Sequence, residues 1–156
     1  MYKRQVIGIG EASYHAANML GGHFSVITTL KRSIPALKKN LKNYGLYDNC
    51  VSISSVDIPV LELESNLNLT EQKIEDKIKE ILDNSDTEIF VLGCAGMADF
   101  AVKMKKKYNI PVIEGISVAV KFAESFIDLD LKTSSRNSFA MPRSKKFTGI
   151  FKNFEV

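Results

Sequence analysis

The stretch Glu88-Ile89-Phe90-Val91-Leu92-Gly93-Cys94-Ala95-Gly96-Met97 joins a short apolar run to a thiol flanked by small residues. The apolar run predicts a buried strand, and a helical pattern follows it. Open α/β sheets bind ligands at the carboxyl ends of their strands, and a helix N-terminus lowers the pKa of a nearby thiol. A reactive Cys94 is therefore our first hypothesis, although composition and position alone slightly favour a buried structural cysteine. The small residues beside it leave backbone N–H groups free to approach an anionic ligand.

Strand and helix signals alternate on both sides of this stretch. Strands are predicted at Val6-Ile7-Gly8-Ile9, Phe24-Ser25-Val26-Ile27-Thr28, 51–56 and 111–113. Helical spacing follows each of them, and Thr70 is predicted to cap the helix after the third strand. Such alternation predicts an α/β fold with a parallel, doubly wound sheet.

The composition fits one globular domain. The 156 residues are 45% hydrophobic and 25% charged, with a formal net charge of +3. We assign residues 6–127 to an α/β domain and residues 1–5 to a non-native leader. Residues 128–156 show no periodicity and are predicted to pack as a tail on the domain. No signal peptide or membrane span is evident, which predicts a cytoplasmic protein without a membrane partner.

Other site types receive little support from the sequence. The dinucleotide-binding pattern that Gly8-Ile9-Gly10 begins has Ser13 in place of its third glycine, which argues against a nicotinamide site. His15 and His23 have no metal-ligand spacing, so no metal is expected. The tail alternates basic and aromatic residues, a pattern that could bind nucleic acid, but packing on the domain is the preferred interpretation.

Several segments resemble one enzyme family when taken in order. They are Gly8-Ile9-Gly10-Glu11-Ala12, 24–30, 57–61, 91–98, 110–115 and 131–134, with Pro142 and Thr148-Gly149 near the end. Together they are similar to the hydantoin/allantoin racemases of the aspartate/glutamate racemase superfamily. The resemblance extends from Val6 almost to the C-terminus.

The resemblance implies a two-lobed, pseudo-symmetric and cofactor-independent enzyme that acts on a hydantoin-type substrate and forms a homo-oligomer. In that family a cysteine from each lobe faces the substrate's α-carbon, one as base and one as acid, and Cys94 matches the second-lobe cysteine. Backbone N–H groups of Ala95 and Gly96 would stabilise the developing enolate. Thr28 and Thr29 are candidates for binding the polar ring atoms.

The first-lobe cysteine has no counterpart here, because Cys50 does not match it. We therefore expect an N-terminally truncated chain with an incomplete first lobe, inactive by itself. One alternative is a decarboxylase of the same superfamily that uses Cys94 alone. Another is a small-ligand-binding protein without catalysis.

Overall fold

The computed structural model describes residues 6–140, 143 and 146–153. A four-stranded parallel sheet forms its centre. The strands are β1 (Phe24–Thr28), β2 (Cys50–Ser55), β3 (Ile89–Leu92) and β4 (Val112–Glu114), in the spatial order β2-β1-β3-β4. All five residues of β1 and all four of β3 are buried, as expected for the central strands of a parallel sheet.

Within the described part of the chain, five α-helices cover the sheet. They are α1 (Ile9–Leu20), α2 (Ile34–Asn43), α3 (Leu67–Asn84), α4 (Ala98–Tyr108) and α5 (Gly115–Asp128). Single 3₁₀ turns lie at Lys31–Ser33, Val60–Glu62, Ala95–Met97, Asn137–Phe139 and Gly149–Phe151. The predicted α/β fold with a parallel sheet is confirmed.

The sheet has a hydrophobic core on each face, because successive side chains of a strand point to opposite sides. In β3, Ile89 and Val91 pack in one core with residues of α1 and α2. Phe90 and Leu92 pack in the other core with residues of α3 and α4. The sheet is therefore doubly wound, and both of its central strands are held between two helical layers.

The strand predicted at residues 6–9 is wrong. Val6 is 94% exposed, and Ile9 is already the first residue of α1. Gly8 precedes the helix, and its carbonyl accepts a hydrogen bond from the N–H of Ala12. A helix satisfies its backbone within one segment, whereas a strand needs a neighbour, and no described strand pairs with this segment.

The prediction that Thr70 caps α3 is also wrong. The helix begins three residues before Thr70, and Asn66 caps it by accepting a hydrogen bond from Leu69 N–H at 3.1 Å. Thr70 is buried, and its hydroxyl donates to the carbonyl of Leu63 at 3.0 Å. Thr70 therefore fixes the loop before α3 against the helix.

After α5 the described residues are mostly exposed. Phe139 is 52% exposed, Phe147 38% and Phe151 57%. Packing of the whole tail on the domain stays a prediction, and residues 1–5 of the leader lie outside the described part of the chain. Within the described residues, no helix is both long enough and apolar enough to cross a membrane.

Candidate functional site

The candidate site lies at the carboxyl ends of the two central strands, β1 and β3. From β1 the chain continues to β2 on one side, and β3 and β4 lie on the other side. The sheet order therefore reverses between β1 and β3, and open α/β sheets bind ligands outside the carboxyl ends of strands at such a reversal. Cys94 follows the end of β3 at this position.

Backbone geometry directs Cys94 out of the sheet. Gly93 still follows the sheet, because its N–H donates to Ile27 C=O at 2.8 Å. A Cβ at Gly93 would lie 3.1 Å from Val26 Cγ1, so a glycine allows the close packing there. Cys94 has extended backbone angles (φ −143°, ψ 134°) and is half-buried. The 3₁₀ turn and α4 then begin directly after it.

A cleft of about 200 Å³ opens beside Cys94. Its walls are the first turns of α1, one side of α2, the end of β3 and the start of α5. The lining residues are Ile9, Gly10, Ser13, Tyr14, Leu37, Asn40, Leu92, Gly93, Cys94, Ala95 and Gly115. Drug-sized ligand pockets have volumes of roughly 300–1,000 Å³, so this space suits a smaller molecule.

Close contact between α1 and α5 forms one corner of the cleft. A Cβ at Gly115 would lie 2.4 Å from the carbonyl oxygen of Ile9, a distance that no side chain can adopt. Glu114 caps α5 by accepting hydrogen bonds from the N–H groups of Ile116 (2.7 Å) and Ser117 (2.9 Å). The glycine and the cap together fix the start of α5 against the first turn of α1.

The structure brings some of the predicted site residues together. Ala95 lines the cleft with Cys94. Gly96 does not line it, although a Cβ at Gly96 would lie 3.9 Å from Cys94 Sγ and 3.0 Å from Leu63 Cδ1. The first N–H groups of a helical turn have no partner within the turn, so the Ala95 and Gly96 amides are suited to bind an anion.

The two threonines have a different environment. Thr28 and Thr29 are only 2% and 4% exposed, and neither lines the cleft. Their carbonyl groups accept hydrogen bonds from Val56 N–H and Ile58 N–H. The Thr28 side chain packs next to Gly93, because a Cβ added at Gly93 would lie 3.6 Å from the Thr28 Cβ. Their predicted contact with ring atoms of a substrate stays a prediction.

Cys50 lies at the opposite end of the sheet from Cys94. It is the first residue of β2 and pairs with Phe24, the first residue of β1. Its thiol donates to Ser52 C=O at 3.4 Å, and burial raises the pKa of this thiol to about 12. A group with this pKa is protonated at neutral pH, which makes Cys50 a poor base.

Nine of the eleven cleft residues were absent from the sequence-based site, among them Tyr14, Leu37 and Asn40. Gly10 and Tyr14 are four residues apart, a spacing that places both on one face of α1. This spacing was a usable signal, but only tertiary packing brings α1 and α2 to the end of β3. The described residues contain no group of three or more His, Cys, Asp or Glu side chains that could hold a metal ion.

Comparison with known proteins agrees with this architecture. Residues 3–123 match the family model described as Asp/Glu/Hydantoin racemase. The chain is 34% identical to a hydantoin racemase of Pseudomonas sp. (strain NS671) over 97% of this chain and 61% of the relative. It is 37% identical to a hydantoin racemase of Rhizobium meliloti, covering 94% of this chain and 61% of the relative.

A solved structure gives the same result. The allantoin racemase from Klebsiella pneumoniae superimposes with a TM-score of 0.86 and 37% identity, covering 94% of this chain and 60% of that one. This chain, with its parallel α/β sheet, belongs to the Asp/Glu/hydantoin racemase family. It spans about three fifths of the length of the curated relatives that it matches.

Proposed function

We propose that this chain forms the Cys94-containing part of a cofactor-independent racemase that acts on a hydantoin-type substrate. The observation that carries the proposal is the position of Cys94, which lines a small cleft where the sheet order reverses. A relative named hydantoin racemase is similar in sequence over 97% of this chain, and a solved structure named allantoin racemase shares the fold. The substrate class is inferred from those names.

Inversion of a carbon stereocentre needs a base on one face and an acid on the other. In one direction the Cys94 thiolate removes the α-proton, and the C–H electron pair moves into an enolate. A second group then donates a proton to the opposite face, and in the reverse direction the two groups exchange roles. The amides of Ala95 and Gly96 supply hydrogen bonds to the enolate oxygen, and neutral donors of this kind stabilise charge that develops in the transition state.

The second proton-transfer group in this proposal is not a cysteine of this chain. The sequence contains two cysteines, and Cys50 lies at the amino end of the sheet with its pKa raised by burial. A thiol there cannot face a substrate carbon bound beside Cys94. We therefore propose that the second group lies in a segment that the relatives contain and this chain does not cover. From the resemblance we also propose that the complete protein is a homo-oligomer in the cytoplasm.

The test compares this chain with a version completed by the part of the Rhizobium meliloti relative that it does not cover. Racemisation of allantoin and of a 5-substituted hydantoin is followed by polarimetry in deuterated water. We expect the completed protein to invert the substrate and to incorporate deuterium at the α-carbon, and the chain alone to be inactive.

Substitution of each cysteine then tests the role of Cys94. In the completed protein, Cys94→Ser should reduce turnover by at least about a hundredfold, because one proton-transfer group is lost. Cys50→Ser is the matched control and should retain turnover. Unchanged racemisation by Cys94→Ser would reject the assignment.

A second candidate function follows from the same geometry, since only one thiol lines the cleft. A decarboxylase that protonates a planar carbanion needs a single acid, and Cys94 would be sufficient. Decarboxylation of a substituted malonate by this chain, without racemisation of hydantoins, would favour this alternative over the racemase.

A further inference from the structure

Tyr14 is a buried polar side chain that lines the Cys94 cleft. It lines the cleft from α1 and is 2% exposed. Its ring stacks on Phe24 with centroids 6.1 Å apart and also contacts Tyr44 at 6.4 Å. These contacts fix the ring, so the position of its hydroxyl is set before any ligand binds.

The hydroxyl of Tyr14 lies at the cleft wall. A Cβ at Gly10, which also lines the cleft, would be 3.9 Å from this oxygen. Ser13 differs, because its hydroxyl donates to Gly10 C=O at 2.8 Å. No hydrogen bond of the Tyr14 hydroxyl is found within the described residues. The Tyr14 oxygen is not among the fully buried side-chain atoms that lack a partner, so it keeps accessible surface at the cleft, where a ligand can accept its hydrogen bond.

We infer that the Tyr14 hydroxyl donates a hydrogen bond to a ring carbonyl oxygen of the substrate bound beside Cys94. The inference rests on the proposed function and adds a specificity-determining residue to it. A cyclic ureide has carbonyl oxygens at fixed positions around its ring, and a donor held by stacking distinguishes these oxygens from ring N–H groups.

Burial keeps Tyr14 in the donor form. Desolvation raises the pKa of its phenol to about 12, with smaller contributions from Cys50 and Tyr44. The hydroxyl therefore keeps its proton at every pH at which a thiol such as Cys94 would be assayed. Tyr14 acts in binding and orientation, and the proton transfer to carbon stays with Cys94.

The test uses Tyr14→Phe, which keeps the stacked ring and removes only the hydroxyl. Tyr44→Phe is the matched control, because Tyr44 belongs to the same aromatic cluster but does not line the cleft. Binding is measured on this chain as the concentration of allantoin that protects Cys94 from iodoacetamide. This measurement needs no turnover. Thermal melting of both variants reports on folding.

We expect Tyr14→Phe to need about five- to tenfold more allantoin for the same protection, the usual effect of one lost hydrogen bond. Tyr44→Phe should match the unsubstituted chain, and both variants should melt close to it. Equal protection in all three proteins would overturn the role of Tyr14 and leave the proposed function standing. No protection of the unsubstituted chain by allantoin would overturn the role of Tyr14 in this chain, whereas racemisation by the completed protein decides the proposed function separately.

Discussion

The two ends of the sheet hold the two cysteines of this chain in different surroundings. Cys94 follows the carboxyl end of β3, where a 3₁₀ turn, α1 and α2 surround a cleft. Cys50 begins β2 at the amino end, and its thiol donates a hydrogen bond to Ser52 C=O. One cysteine therefore borders a cleft at one end of the sheet, and the other is packed at the opposite end with its thiol protonated.

The physical origin of the difference is the parallel sheet. Parallel strands place all of their carboxyl ends at one edge, and the chain leaves each strand there to enter a helix. At the other edge the chain enters the strands from loops, and the Cys50 side chain packs against the core that contains Phe24 and Leu41. A thiol at the amino edge lacks the helix N-termini that stabilise negative charge.

Alkylation should separate the two thiols by the largest factor. At pH 8 a pKa of about 12 leaves roughly one Cys50 thiol in ten thousand ionised. We expect iodoacetamide to modify Cys94 at least about a hundredfold faster than Cys50, as measured by peptide mass spectrometry. Denaturation with guanidinium is the control and should make the two rates similar. Faster modification of Cys50 in the folded chain would reverse the comparison.

The carboxyl edge should be the more sensitive to added volume. Gly115→Ala places a Cβ 2.4 Å from the Ile9 carbonyl oxygen, so α1 and α5 must move apart. We expect a loss of about 1–3 kcal/mol in the free energy of unfolding, measured by urea denaturation. Gly10→Ala is the control, because a Cβ at Gly10 would lie 3.7 Å from Tyr14 Cε2, an ordinary contact. Equal stability of the two variants would show that the helices adjust freely.

Alkaline pH should affect the amino edge first. Burial raises the pKa of Cys50 from 9.0 and that of Tyr14 from 10.0, both to about 12. A raised pKa stabilises the folded protein below the unfolded value, and this contribution is lost as pH rises toward the folded value. We therefore expect the melting temperature to fall between pH 9 and pH 12.

Substitution separates the two contributions to this alkaline loss. Cys50→Ala should remove the part that begins near pH 9, because the thiol no longer titrates. Tyr14→Phe should remove the part that begins near pH 10. Melting curves of both variants across the pH range provide the check, and an unchanged pH profile in Cys50→Ala would show that this thiol is not desolvated in solution.

The sequence predicted the carboxyl edge better than the walls that surround it. The strand before Cys94 is a continuous apolar run with glycine after it, so both the strand and the position of the thiol follow from local residues. The strand expected at residues 6–9 failed for a non-local reason. Four apolar or small residues fit a strand or the entry to a helix equally well, and only the pairing of strands decides between them.

The remaining site residues depend on distant contacts. Tyr14 reaches the cleft because its ring stacks on Phe24, and this contact joins α1 to β1 across a glycine turn. Asn40 reaches it because α2 packs on the same face of the sheet. Thr28 and Thr29 were placed correctly at the end of β1, but the sequence did not indicate how completely they are buried.

The smallest expected effect concerns the cap of α5. Glu114 ends β4 and accepts hydrogen bonds from two N–H groups at the start of the helix. Glu114→Ala leaves both groups unpaired, and we expect a loss of about 1 kcal/mol in the free energy of unfolding. Glu114→Gln should lose less, because its amide oxygen still accepts a hydrogen bond.

Asn66→Ala, which removes the cap of α3 away from the cleft, should cost a similar amount in stability. If the cap also positions Gly115 against Ile9, Glu114→Ala will change the alkylation rate of Cys94, whereas Asn66→Ala will not. An equal alkylation rate in both variants would limit the cap to a role in stability.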